Sequence, residues 1–296
     1  MKKKIIAALL AASTVLSAAV FSSCGEKSEY PVTVGKITIE AEPENAVVLS
    51  KNLADIISTI GYDVKLAGRS DEVDRKGLTV VPSVGPASEA SAKSILKLNA
   101  DVVIADDTIN PDTKKQLIKE GVPVIIPEKT SVPKEIKKVY SQLGEVLGGS
   151  ITGKSEGAKA FDELFEELND VKNAIAEKDI VKTVCYLYAE DGKIKTMNAG
   201  TWGAKILDFT GAENVFKNEE SPIVTRRNLL LSNPDFIFCA DKRVAYYLRD
   251  HKILKRLNAL KKDIHVIKLD DINSQGGVAM DALEKMLRYM YPEEFD

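Results

Sequence analysis

Few side chains in this sequence suit bond-making chemistry, and their spacing narrows the field further. The two histidines, His251 and His265, lack the i,i+4 spacing that lets neighbouring imidazoles share a metal. Cys185 and Cys239 sit inside apolar runs, where a thiol behaves as a small hydrophobe. Asp106 and Asp107 form a carboxylate pair, but adjacent residues in an extended segment point different ways. No nucleophile–base–orienter set is visible, so the sequence argues against an enzyme. The remaining candidates are residues that bind. Trp202 is the only tryptophan, and an exposed indole could stack on a planar ligand. Arg69 and Arg243 carry planar forks that grip carboxylates and stack on rings. Tyr188, Asn52, Asp107, Thr201 and Lys242 offer hydrogen-bonding groups beside them. Each also has a plain reading: a tryptophan packed on its own lobe, an arginine in solvent, a tyrosine that ends a strand.

One motif invites a different chemistry. Gly148 to Ser155 fits G-x-x-x-x-G-K-S/T, the phosphate-cradling loop. That loop must follow a strand, whereas Ile136 to Leu147 has the spacing of a helix. The motif is therefore expected to be a glycine-rich turn between two helices.

The elements that must hold the binding residues alternate along the chain. Val47 to Leu49 is expected to be a buried strand. Leu53, Ile56, Ile57 and Ile60 follow at helical spacing, with Gly61 as the C-cap. Val64–Ala67, Val102–Ile104 and Val124–Ile126 read as strands, Ser91–Leu98 and Thr113–Glu120 as helices. The phrase Asn99-Ala100-Asp101 opening a run closed by Asp106 returns as Asn233-Pro234-Asp235 opening a run closed by Asp241. This implies two similar α/β lobes with mostly parallel sheets, each three layers thick. Lys154 to Ala176 carries one apolar stripe and would reach ~33 Å as a helix. The organisation read from these signals is an N-terminal lobe over 43–150, a linker helix over 151–178 and a C-terminal lobe over 179–296. Ligands of open α/β sheets bind beyond the carboxyl ends of the strands. That rule selects the loops bearing the candidates above, facing each other across a cleft.

The N-terminus adds an address. Lys2 to Lys4 precede an apolar run from Ile5 to Phe21, which gives way to Ser22, Ser23 and Cys24. This resembles a bacterial lipobox, with Phe21 where Leu is usual. The resemblance implies a signal peptide over 1–23, cleavage before Cys24, acylation of its thiol, and a lipid-anchored lead over 24–42 on the outer face of a membrane. The chain has 296 residues and a net charge of −3; without the three signal lysines the body is near −6, which argues against nucleic acid.

The two lobes, the single long helix and the lipoprotein signal together resemble the helical-backbone substrate-binding proteins of ABC importers, in the branch that carries ferric siderophores, haem and cobalamin. The resemblance runs from about Pro43 to Phe295. It rests on Asn45 to Ser50, on Val84-Gly85 with Ser94 to Asp101, on Ile151 to Lys154, and on Leu229 to Asp235. It implies a monomer that captures a small metal chelate between its lobes and delivers it to a permease and its ATPase, with no cofactor of its own. Tyr188 or Met197 could then ligate haem iron. The family commonly grips its permease with a glutamate on each lobe tip. Those positions hold Lys93 and Arg227 here, with Glu89 near the first. This departure keeps open a ligand-sensing lipoprotein on the same scaffold, and a chelatase-like enzyme is a further alternative.

Overall fold

The computed structural model describes residues 28–176, 181–261 and 263–295. The proposed signal peptide and Cys24 lie outside the described residues. The chain divides into two units. Among the described residues, one holds residues 28–164 together with Gln275–Gly277; the other holds Phe165–Ser274 and the residues from Val278 on.

In the first unit a four-stranded sheet comprises β3 (Ala46–Val48), β4 (Leu66–Arg69), β5 (Val102–Ile104) and β6 (Val124–Ile125). The order is β4-β3-β5-β6, and every pairing is parallel. Residues 46–48 and 102–104 are all buried, so both faces of these strands are covered, which is why they read as unbroken apolar runs. The helices are α1 (Lys51–Ile60), α2 (Ala92–Leu96), α3 (Pro111–Lys119) and α4 (Pro133–Gly148). Ser50 caps α1 through the Leu53 amide, and Gly61 ends it at φ 98°, where its N–H reaches the Ile57 carbonyl. The strand expected from Val64 begins at Leu66 instead. Val64 lies in a 3₁₀ turn and is 91 % exposed. The lead carries structure the sequence reading missed: β1 (Val32–Val34) and β2 (Ile37–Ile39) form an antiparallel hairpin with Val32 and Ile39 buried.

The helix α5 (Lys154–Ala176) follows α4 through a π-turn at Gly149–Gly153. The division between units falls within α5, after Leu164. The stripe expected of it is buried at Phe161, Leu164, Leu168, Val171 and Ile175.

The second unit has β7 (Thr183–Glu190), β8 (Lys193–Thr196), β9 (Glu213–Asn214), β10 (Phe236–Cys239) and β11 (His265–Val266). The order is β11-β10-β7-β8, β9 also pairs with β7, and only β8 runs antiparallel. Its helices are α6 (Trp202–Phe209), α7 (Arg226–Ser232), α8 (Lys242–Asp250), α9 (Leu269–Ile272) and α10 (Gly277–Met290), whose first residue belongs to the other unit. Cys185 and Cys239 are free and buried in this core. Burial pushes both thiols up, Cys239 to about 12, so neither is a ready nucleophile.

The repeated phrase has a structural cause. Asn99 and Asn233 both adopt left-handed backbone, at φ 51° and 38°. Asparagine tolerates this better than most residues. Two residues on, Asp101 accepts the amides of Glu44 and Asn45 just before β3, at 2.9 and 2.8 Å. Asp235 accepts the amide and hydroxyl of Thr183 at the start of β7, at 3.0 and 2.8 Å. Each aspartate ties the first turn of its own strand to the start of the strand beside it.

Candidate functional site

The candidate residues lie within strands or in the segments that follow them, and their side chains divide into two groups. Asn52, Arg69, Thr201 and Trp202 are committed to hydrogen bonds inside their own units. Asn52 and Gln275 form a reciprocal pair: the Asn52 amide donates to Gln275 Oε1 at 3.1 Å, and the Gln275 backbone N–H donates to Asn52 Oδ1 at 2.8 Å. Gln275 also donates to the Thr130 carbonyl at 2.5 Å, and Tyr140 donates to the Gln275 carbonyl at 2.5 Å. The Arg69 guanidinium donates to the carbonyls of Leu78, Ser70 and Thr79, which spends its fork on bracing its own loop. Thr201 caps α6 by accepting the Ala204 amide at 3.2 Å. Trp202 corrects the sequence expectation most clearly. Its side chain is 2 % exposed and Nε1–H donates to the Ser274 carbonyl at 2.5 Å. As the first residue of an amphipathic helix it turns into the core of its unit rather than out from the rim.

Asp107, Tyr188, Lys242 and Arg243 keep accessible heads. Asp107 is exposed beyond β5. On the other sheet, β7 and β10 run parallel with Leu187 opposite Cys239, and the Ala240 amide donates to the Leu187 carbonyl. This register brings Tyr188 to the same sheet edge as the turn carrying Asp241, Lys242 and Arg243. The Tyr188 hydroxyl has no hydrogen-bond partner among the described residues; burial, then Glu190, pushes its phenol up. Asp241 caps α8 through the amides of Arg243 and Val244 and pairs with the Arg243 fork at 2.9 Å. The fork and these amides hold its carboxyl below the usual range. The edge therefore presents a phenol and two cations that can meet an anionic, ring-bearing ligand. Glu89, Lys93 and Arg227 are all exposed.

Other candidates are spoken for. Met197 is buried, and a Cβ on Gly203 would stand 2.8 Å from its sulfur. His265 lies 3.7 Å from the Tyr289 ring, and burial lowers its pKa. His251 meets the Arg226 guanidinium at 3.0 Å. Among the described residues no cluster of three or more His, Cys, Asp or Glu could hold a metal ion. Two cavities in the second unit, of about 470 and 520 Å³, are lined by other residues, the first from Glu213 to Ser221, the second including Lys182, Phe236 and Tyr289.

The phosphate-loop look-alike is a helix–helix turn, as the preceding helix requires. A Cβ on Gly144 would stand 2.0 Å from the Gly153 carbonyl oxygen, and one on Gly157 2.2 Å from that of Tyr140, so glycine serves close backbone approach here. The amides that would cradle a phosphate already hold an anion. Glu29 accepts the Ile151 amide at 2.8 Å, the Thr152 amide at 3.2 Å and the Thr152 hydroxyl at 2.7 Å. These bonds, the hydroxyl's first, lower its pKa. Lys154 pairs with Glu145 at 3.1 Å.

Sequence reasoning missed a buried ion pair. Asp55 on α1 is 2 % exposed and pairs with Arg75. A Cβ on Gly276 would come 2.7 Å from the Asp55 carboxyl carbon. Thr59, one turn on, accepts the Gly277 amide at 2.9 Å. The available signal was a carboxylate placed among Leu53, Ala54, Ile56 and Ile57.

A family model described as periplasmic binding protein matches residues 47–272. The vitamin B12-binding protein of Vibrio parahaemolyticus is 27 % identical over 214 residues, 70 % of this chain and 75 % of that protein. The Fe(3+)-citrate-binding protein of Bacillus subtilis is 21 % identical over 77 % of this chain and 73 % of its own. Among solved structures, the periplasmic haem-binding protein HutB of Vibrio cholerae aligns over 85 % of this chain and all of its own, with a TM-score of 0.69 at 17 % identity. At that identity the likeness concerns the fold.

Proposed function

This chain belongs to the periplasmic binding protein family, and from that membership we propose that it is the extracytoplasmic capture protein of an ABC importer. Its cargo in this reading is an iron–siderophore, haem or cobalamin-type chelate, passed to a permease and its ATPase. The observation that carries the reading is the family match across 47–272. The names of the B12- and ferric-citrate-binding relatives support the class of cargo. No bond is made or broken; specificity comes from a few polar groups in a mostly apolar site. Asp107, Tyr188, Lys242 and Arg243 contact the ligand. Asn52, Arg69, Thr201 and Trp202 act one step back, by fixing the loops. Cys24 carries the lipid anchor that holds a monomer at the membrane, and Glu89, Lys93 and Arg227 face the permease.

Native mass spectrometry with an absorption spectrum, on protein purified from its own host, tests this. A Soret band identifies haem, a corrin spectrum cobalamin, and a broad charge-transfer band a ferric chelate. Protein that carries none of these, and takes up none of haem, cyanocobalamin or ferric citrate in titration, would sink the reading. Lys93 and Arg227 favour a second one, a ligand-sensing lipoprotein without an importer. In that case the permease fails to retain the wild type.

A further inference from the structure

The basic charge of this chain is unevenly spread. Residues 226–262 hold ten lysines and arginines against three aspartates, in a chain whose net charge is −3. Five of the eight arginines fall between 226 and 256. The structure gathers them. Arg226 on α7 meets His251 at 3.0 Å, and the Asn258 amide donates to Asn233 at the end of α7 at 2.9 Å. Helix α8 turns Val244, Ala245 and Leu248 into the core. That leaves Tyr246 and Tyr247 outward, 60 % and 43 % exposed, with exposed Ile253 following. Arg243 and Arg249 have local carboxylate partners. Arg227, Lys252, Lys255 and Arg256 are exposed and pair with no carboxylate among the described residues.

Water alone does not require such a face. A solvated surface mixes both signs, and large apolar rings are not left adjacent on it. Arginine and tyrosine are the residues enriched in protein–protein interfaces, where the arginine fork binds carboxylates in two-point fashion. We propose that the face built from α7, α8 and residues 251–256 is a docking surface for a carboxylate-rich protein partner, with Tyr246 and Tyr247 as its anchors. A bilayer attracts point charge and is served as well by lysine, so the arginine share favours protein over lipid headgroups. The identity of that partner as the permease rests on the importer reading above.

The test uses the full chain, both free and preincubated with haem or cyanocobalamin, and the permease complex in nanodiscs of zwitterionic lipid. Three proteins are compared: wild type; Arg226→Glu with Arg227→Glu and Arg256→Glu; and Tyr246→Ala with Tyr247→Ala. All the altered side chains are exposed, and melting curves check their folding. The charge reversal should weaken docking about tenfold or more, mainly through slower association that no longer falls with salt. The tyrosine pair should speed dissociation by about tenfold. Wild-type docking that neither variant changes would overturn the proposal and leave the importer reading intact. Equal wild-type binding to phosphatidylglycerol vesicles, lost in the charge reversal, would assign the face to lipid instead. Sedimentation showing wild-type self-association abolished by the reversal would assign it to a second copy. A wild type that never docks would defeat the importer reading, and this partner with it.

Discussion

Trp202 offers the sharpest separation between a side chain that touches ligand and one that positions the site. Replacing it with Phe keeps an aromatic ring but removes the N–H that reaches the Ser274 carbonyl at 2.5 Å. Losing a donor to a buried acceptor costs about 1–3 kcal/mol. The smaller ring leaves unfilled volume around a side chain only 2 % exposed, for about another 1–2 kcal/mol. The sum is a loss of about 2–5 kcal/mol. With urea slopes of about 1–3 kcal/mol per molar, that shifts the unfolding midpoint of the second unit by about 1 M or more. Far-ultraviolet circular dichroism reads this without the tryptophan, and haem or cyanocobalamin titration reads binding. Where the wild type binds either probe, the variant should bind within about threefold, since that is less than 1 kcal/mol. The wild-type indole should also resist iodide quenching until the urea transition. An affinity loss beyond about tenfold with an unmoved midpoint would refute the reasoning and return the indole face to the ligand.

Glu29→Gln should raise amide exchange over residues 28–39, because a neutral amide cannot replace the carboxylate at Ile151 and Thr152. The same bonds make the clamp pH-dependent. The folded pKa of Glu29 lies below the ordinary 4.5, so its contribution is fully present above 4.5 and is lost as pH falls through the lowered value; protection of these amides relative to Glu29→Gln that is as large in acid as at neutral pH would contradict this. Asp55→Ala removes a buried carboxylate that pairs with the partly exposed Arg75 and should cost about 1–3 kcal/mol in the first unit, read as an earlier urea transition there. Gly276→Ala must displace the Asp55 carboxyl, 2.7 Å from the added methyl, and should cost about 1–3 kcal/mol by overpacking in the same assay.

The fold was more legible than the site because fold signals are periodic. Buried strands announced themselves as Val47-Val48 and Val102 to Ile104, and Gly61 marked the end of α1. Short, half-exposed strands gave no such pattern. The β1–β2 hairpin has three residues a side, and β9 has two. Their apolar residues are too few to show a period, and pairing partners decide their state. The ion pair of Asp55 and the Glu29 clamp were hidden for another reason. Each joins residues far apart in the chain, 122 positions for Glu29 and Ile151, and no local spacing encodes that.

The same distinction explains how the candidate residues sorted. Strand-end position is a property of topology, and sequence alternation reveals it. Whether a polar head is free there depends on what the neighbouring backbone lacks. The carbonyls of Leu78 and Thr79 receive Arg69, and that of Ser274 receives Trp202. Lys242 and Arg243 open a helix whose amides Asp241 already satisfies, so their own heads remain outside. The look-alike phosphate loop obeys the same rule. Its exposed amides are real anion donors, and the chain supplies Glu29 to meet them. A motif therefore identifies groups that need partners, and only the surrounding structure determines whether the partner is a ligand or the chain itself.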